Sequence, residues 1–372
     1  MGKNKKNILL PKKPGPDKLI AAGILMNTGQ FSGVKVIPMV PHERWQIEIN
    51  GTPVGLNVNY QDIDWRSYTE VVVSQYNIPR TAEIQRLIKL ADKNVHHRTE
   101  IGSFSDLINA FFSAQYWYRD KADNEFSDEK IVEEGIQCVS DLIQYGKLKL
   151  QRDDWSIEIL QKEVQKVGAK KIPRLMKYLQ QINAGMRVEC DIIELLTTRK
   201  QLRGEEEAQK FAAKIVRIYA IANEVFQEAI QICRESTIVK ETPRGKIVAT
   251  RTDNPVFGGA ANVWFKQQPA ITIQQLQSGH VQIFFAPNIP ESVSDDLTIL
   301  LRGEDLKLSK RDEAALSRER ESPEVPKWFY VKPPYGTIMI LNASIRTGTE
   351  SIAPTKIPLL SIVNFAELVL RA

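Results

Sequence analysis

Histidine and cysteine are scarce: four and three among 372 residues. Cys138, Cys190 and Cys233 are far apart, in stretches that read as helical, and no Cys-x-x-Cys pair occurs. That scatter excludes a disulfide framework and a cysteine-rich zinc site, and reads instead as three buried thiols in a reducing compartment. The sequence has no H-E-x-x-H, no G-x-x-x-x-G-K-[ST], no G-x-S-x-G and no kinase signature, which argues against zincins, P-loop NTPases, α/β-hydrolases and protein kinases. Long apolar runs are also missing; none reaches the roughly 18 residues of a membrane helix. The opening segment MGKNKKNILLPKKPGPDK offers only Ile8, Leu9 and Leu10 as an apolar stretch, too short for a secretory leader. Lys6 stands where a myristoylation signal wants Ser or Thr. The expectation is a cytoplasmic protein with no membrane partner.

What is present is an ordinary globular composition, 42% hydrophobic and 26% charged, with a net charge of +5. The length suggests about two domains. The mild positive charge permits contact with nucleic acid without requiring it. Asn7–Leu10 reads as a strand, followed by a Pro/Gly turn, with Asp17 as N-cap of a helix over Lys18–Met26. Val34–Val40 is rich in β-branched residues and reads as a strand. Trp45–Ile49 and Pro53–Asn59 flank Asn50-Gly51, a hairpin signal. Thr69–Tyr76 is compatible with helix or strand.

From Thr81 to Glu235 the pattern is mostly helical. Ser103 and Ser127 open helices as caps, Pro173 suits a first turn, and Glu205–Glu235 carries one apolar stripe from Phe211 to Ile232. Thr237–Val239 and Lys246–Thr250 form a hairpin around Pro243-Arg244-Gly245; Gly258–Phe265 reads as a short helix or a helix-to-strand turn, and His280–Phe285 as a buried strand. Leu297–Leu301 is amphipathic, Gly303–Ser322 reads as a polar surface excursion, and Trp328–Val331, Thr337–Leu341 and Ile357–Ile362 are further short elements. The fold class is therefore α/β in two lobes: residues 1–200, an α/β sheet domain with a helical extension, and residues 201–372, a long connector helix with a smaller α/β domain. The boundary is drawn through the polar stretch Arg199–Glu207, around Gly204.

Four segments carry candidate chemistry. The turn Pro11–Asp17 precedes a helix, whose free N–H groups favour anions, and Lys12, Lys13 and Lys18 add charge. Asp62 and Asp64 would share a face in a strand, and paired carboxylates suit Mn²⁺ or Mg²⁺; Asp64 as a helix cap explains the same residues. Asp92, His96 and His97 fall within six residues and are metal-ligand types, although a solvated helix end accounts for them too. Ser278-Gly279-His280 precedes a buried strand; the glycine would allow close approach of a ligand to the backbone, with His280 touching a phosphate, or the three simply form a tight turn. Asp253-Asn254-Pro255 with Gly258-Gly259 is a similar turn cluster. Tyr116, Trp117 and Tyr118 with Arg119 and Lys121 could stack on bases, or serve as core and rim.

This order of segments resembles the DHH phosphoesterase superfamily, in particular bacterial relatives of the melanocyte-proliferating-gene exonucleases. The similarity is strongest in Thr252-Asp253-Asn254-Pro255, Gly258–Ala261, the strand from Ser278, and Pro354-Thr355-Lys356-Ile357-Pro358-Leu359. The family's first motif carries a His and one or more Asp, but the loop here holds only Asp17; the Asp-His-His triplet is absent as such. The resemblance implies a depleted metal site in which Asp17, Asp64 and Asp92 are the surviving catalytic carboxylates. It also implies a phosphate-bearing ligand, nucleotide or single-stranded nucleic acid, in a cleft between the lobes. Two other functions compete with this one. One is a non-catalytic interaction or assembly subunit, binding a protein partner or its own copies. The other is an active Mn- or Mg-dependent phosphodiesterase using the three carboxylates with His96 or His97.

Overall fold

β-Branched and leucine residues make Asn7–Leu10 a strand (β1), and Pro16 begins the helix that follows, Pro16–Met26 (α1). This is a computed structural model; it describes residues 7–10, 14–28, 35–38, 47–49, 52–54, 67–96, 99–119, 126–308, 328–331, 338–342 and 354–371. The chain is mixed α/β and divides into two compact units. One is Met1–Val40 with Arg44–Val225, the other Pro41–Glu43 with Phe226–Ala372. The division falls within a helix.

In the first unit, α1 crosses from β1 to the parallel strand Lys35–Pro38 (β2). Ile47–Ile49 (β3) pairs antiparallel with β1, and Thr52–Val54 (β4) with β3, giving the order β2-β1-β3-β4. The β3–β4 register brings Ile49 opposite Thr52, as the Asn50-Gly51 hairpin predicts. Pro53 sits in the outermost strand of the four, where a missing N–H costs no ladder bond. The segment whose periodicity is ambiguous is a helix, Tyr68–Gln75 (α2).

Ala82–His96 (α3), Phe104–Trp117 (α4), Asp128–Lys147 (α5), Asp154–Val167 (α6), Pro173–Asn183 (α7), Ile192–Arg203 (α8) and Glu205–Glu235 (α9) follow. Ser103 and Ser127 accept the Asp106 and Lys130 N–H groups as caps. The inner helix is α1, where Leu19 to Leu25 are all buried. Small residues set its approach to α5: a Cβ on Gly23 would lie 2.6 Å from Val139, and one on Gly135 would lie 2.9 Å from Leu19.

Two local readings need correction. Asp17 is not the cap of α1. Gly15 is, because Pro16, with φ already fixed, takes the first helical position and leaves Asp17 inside the first turn. Cys190 is not helical; it lies at φ +54°, just before Asp191, the N-cap of α8. All three cysteines are buried and unbridged, as expected.

In the second unit, Ile238–Thr242 (β5) and Gly245–Arg251 (β6) form the hairpin around Pro243-Arg244. Phe257–Trp264 (α10) then crosses to Ile271–Gln275 (β7), parallel to β6. Val281–Phe285 (β8), Glu291–Leu308 (α11), Phe329–Val331 (β9), Met339–Asn342 (β10) and Leu359–Arg371 (α12) complete a six-stranded sheet of order β5-β6-β7-β8-β10-β9 and its helices. Strand β7, with four buried residues in five, has no reading from the sequence. Gly303 does not open a surface excursion: α11 continues to Leu308, with Asp305 and Leu306 buried. Residues 309–322 lie outside the described residues. Ile247, Ile271, Ile283 and Ile340 on the sheet pack with Leu297 and Leu301 of α11 and Ile362, Val363 and Ala366 of α12. The terminal part of α9 packs Ala229 and Cys233 against Val248, Phe257 and Ala261.

Candidate functional site

One end of the six-stranded sheet gathers most of the segments singled out in the second half of the sequence. Arg251, Gln275, Val281 and Asn342 form a single register row across β6, β7, β8 and β10. The parallel pair β6 and β7 both finish there, and ligands of α/β sheets characteristically sit beyond the carboxyl ends of parallel strands.

The turn after β6 is fastened by buried groups. The Gln274 side-chain amide donates to the carbonyls of Thr252 (2.9 Å) and Asn254 (3.0 Å). The Asn254 side chain accepts the Val256 N–H, and Thr252 Oγ1 accepts that of Asn254. Asp253 points the other way and accepts the Gln277 N–H at 2.8 Å, which ties this turn to the next.

Ser278, Gly279 and His280 make the turn from β7 to β8. Leu276 N–H donates to the His280 carbonyl and Gly279 N–H to that of Leu276. Gly279 adopts φ +88°, and a Cβ there would lie 3.1 Å from Pro354. The space that the glycine opens is thus occupied by the chain itself, while Ser278 Oγ and His280 Nδ1, 2.9 Å apart, remain at the surface of the turn. Which of the two donates depends on the tautomer of His280. Arg251, donating to the Gln277 carbonyl at 3.2 Å, and exposed Lys356 add positive charge to this end. A depression of about 430 Å³, lined by Pro243, Arg244, Gly245, Gln267, Gln268, Ala270 and Asn288, lies at the opposite end of β6 and β7, away from these groups.

In the first unit Asp17 is engaged by a second helix. Asp17 Oδ2 accepts the Tyr68 N–H at 2.8 Å, and Oδ1 accepts the Thr69 N–H at 3.0 Å and the Thr69 hydroxyl at 2.8 Å. Asp17 therefore caps α2 from a distance, its charge set against the positive end of that helix. Burial pushes its pKa up, and the Thr69 and Tyr68 donors oppose the shift. Lys18 stands 4.5 Å over the Tyr68 ring.

Asp92 is half-buried on α3, and its shielded Oδ1 has no hydrogen-bond partner among the described residues, a feature a donor would satisfy. His96 ends α3, but its side chain lies outside the described residues, as do Lys12, Lys13, Asp62, Asp64 and His97. Among the described residues no three His, Cys, Asp or Glu side chains are grouped to hold a metal ion. Asp17 has both carboxylate oxygens engaged by α2, and Asp64 lies outside the described residues.

The sequence gives little sign of the ionic groups buried among the helices of the first unit. Asp106 on α4 accepts from Arg174 (2.7 Å), Tyr219 (2.7 Å) and the Gly102 N–H (2.9 Å). Arg199 on α8 joins Asp141 and Glu134 of α5. Asp191 caps α8 through the Glu194 N–H, and its Oδ2 lies 2.7 Å from Arg152 without the alignment of a hydrogen bond. Burial is the largest influence on Asp191 and raises its pKa to about 6, with Arg152 pulling it down. The folded-state value lies above the unfolded one of about 3.9. Between the two, the folded chain holds the extra proton, so this group's contribution to stability is present on the acid side and is lost as pH rises toward 6. Asp191→Asn should abolish that slope, read as the difference in Tm between variant and wild type from about pH 4 to 7; parallel profiles would refute it.

Arg119 stacks on Tyr116 at 4.0 Å, and Arg217 bonds the Tyr118 hydroxyl at 2.9 Å. Tyr116 is buried, so it belongs to the packing of α4 rather than to a stacking platform.

No family model and no curated protein matches the chain. No described helix is long and apolar enough to cross a membrane.

Proposed function

We propose that this protein, as a distant DHH-like chain with a depleted metal site, binds a phosphate-bearing ligand at the sheet end formed by Arg251, Ser278, His280 and Lys356. The ligand class is a nucleotide or single-stranded nucleic acid. The observation that carries the reading is the register row Arg251–Gln275–Val281–Asn342. It collects two buried-anchored turns and three basic residues beyond the ends of parallel strands. The commitment of Asp17 to α2 supports binding over efficient hydrolysis.

The test is a titration of a fluorescein-labelled oligothymidylate, with a labelled mononucleotide as the second arm, across a range of salt. Binding should weaken linearly in log salt, and His280→Ala and Lys356→Ala should each weaken it about tenfold, the loss of one charge-assisted contact. Affinity for the oligonucleotide alone would assign the ligand to nucleic acid. No binding by either probe at the lowest salt would remove the proposal.

A second reading, an assembly subunit, is favoured by the exposed Val263 and Trp264 side by side on α10. Light scattering on the eluting peak of a sizing column separates the two: a monomer that binds the probe leaves the first.

A further inference from the structure

The segment Pro354–Pro358 has no regular secondary structure, yet its burial alternates strictly: Pro354, Lys356 and Pro358 are exposed, Thr355 and Ile357 buried. Thr355 is gripped from three sides. Its N–H donates to Asn342 Oδ1 at 3.0 Å. Its hydroxyl lies 2.9 and 3.0 Å from the two oxygens of Asp305 and accepts the Ile357 N–H at 3.1 Å. Asp305 is itself buried and also accepts from the Trp328 indole, while fully buried Arg302, one turn earlier on α11, donates to the Trp328 carbonyl at 2.7 Å.

A carboxylate in the last turn of a helix faces the negative end of the dipole, and burying it costs several kcal/mol unless its oxygens are satisfied. Among the described residues Asp305 accepts from the Trp328 indole and the Thr355 hydroxyl, and the latter belongs to the segment that reaches the candidate site. Pro354 packs on Gly279 of the Ser278–His280 turn, and Lys356 is two residues farther on, within about 7 Å along an extended chain.

We infer that Asp305 and Thr355 form a buried strut whose role is to hold Lys356 against the Ser278–His280 turn, making Asp305 and Thr355 positioning residues for phosphate recognition. This inference rests on the phosphate-binding reading above. A lysine on a free loop loses several rotatable bonds on contacting a phosphate, whereas one whose backbone is already pinned loses fewer, so the strut converts directly into affinity.

The isosteric variant Thr355→Val removes the hydroxyl and keeps the shape, and Thr355→Ser keeps the hydroxyl. With the labelled oligothymidylate as probe, Thr355→Val should weaken binding about tenfold and lower the salt slope by about 0.7, the value of one lost contact to a single strand. Lys356→Ala should do the same, and Thr355→Val should add nothing to it in the double variant. Thr355→Ser should restore both affinity and slope. A lower Tm for Thr355→Val with affinity and slope unchanged would overturn the positioning role while leaving the binding site intact. Unchanged binding in both Lys356→Ala and His280→Ala would instead overturn the site, and the strut with it. Should Thr355→Val not fold, Asn342→Ala, which loosens the same residue through its N–H, carries the same expected loss of slope, and an unchanged slope there refutes the inference.

Discussion

Arg199→Ala is expected to destabilise the first unit by about 3 kcal/mol, at the lower end of what breaking a buried ion network costs. The guanidinium donates to Asp141 at 2.8 Å and to Glu134, and stacks 3.4 Å over the Phe211 ring. It joins α5, α8 and α9 in one contact. Two neighbours limit the loss: Arg203 still serves Asp141 and Lys214 still serves Glu134, each at 2.7 Å. The remaining charges would balance, so the penalty comes from two lost charge-assisted bonds, the lost stacking and the space left behind. Arg199→Lys keeps the charge but cannot fork between two carboxylates, and should recover less than half of the loss. Urea unfolding followed by circular dichroism measures both; a cost below about 1 kcal/mol for the alanine variant would mean that the network is not holding the three helices together.

Gly102→Ala should be comparably severe for a different reason. Gly102 adopts φ +79°, and a Cβ there would lie 2.0 Å from the ring of Tyr178, a side chain with no exposure of its own. The ring cannot withdraw, because its hydroxyl meets the Ile193 N–H. The glycine backbone cannot withdraw either: its N–H donates to Asp106 and its carbonyl accepts from Ile192 at 3.0 Å. A left-handed alanine costs roughly 1–2 kcal/mol and an overpacked core about 1–3 more. Gly185→Ala is the control, with φ +80° and no atom within 4 Å of the added Cβ; it should show the backbone cost alone. Thermal melts that place the two variants together would show that Tyr178 yields and that the close approach is not a constraint.

These two sites mark the limit of what residue patterns convey. The caps at Ser103 and Ser127, the long helix Glu205–Glu235 and the hairpins at Asn50-Gly51 and Pro243-Arg244 all involve interactions between residues a few positions apart, and all are legible in the sequence. Strand β7 is a short run in which Ile271, Thr272, Ile273 and Gln274 alternate apolar and polar, and that alternation does not reveal that all four are buried. Arg199 reads as part of a polar boundary, but it is buried by partners 58 and 65 residues away, and no local window contains them. For the same reason Asp17 resembles a free carboxylate beside a glycine turn until the N-terminus of α2, 51 and 52 residues on, arrives to claim both of its oxygens.

The candidate site shows the same division. Ser278-Gly279-His280 is recognisable as a turn from its glycine and the strand that follows, and Pro354–Leu359 as a punctuated segment. That these two and Thr252–Asn254 occupy one end of one sheet depends on strand register, which is set by long-range pairing between β6, β7, β8 and β10. Amino-acid order by itself therefore determined the α/β class, the helix starts at Ser103, Ser127 and Pro173, and the turns, because those depend on backbone propensity and near neighbours. Which polar residues are buried, which carboxylates are already engaged and which turns meet was decided only by tertiary structure, because hydrogen bonds and ion pairs between distant segments exist only once the chain has closed around them.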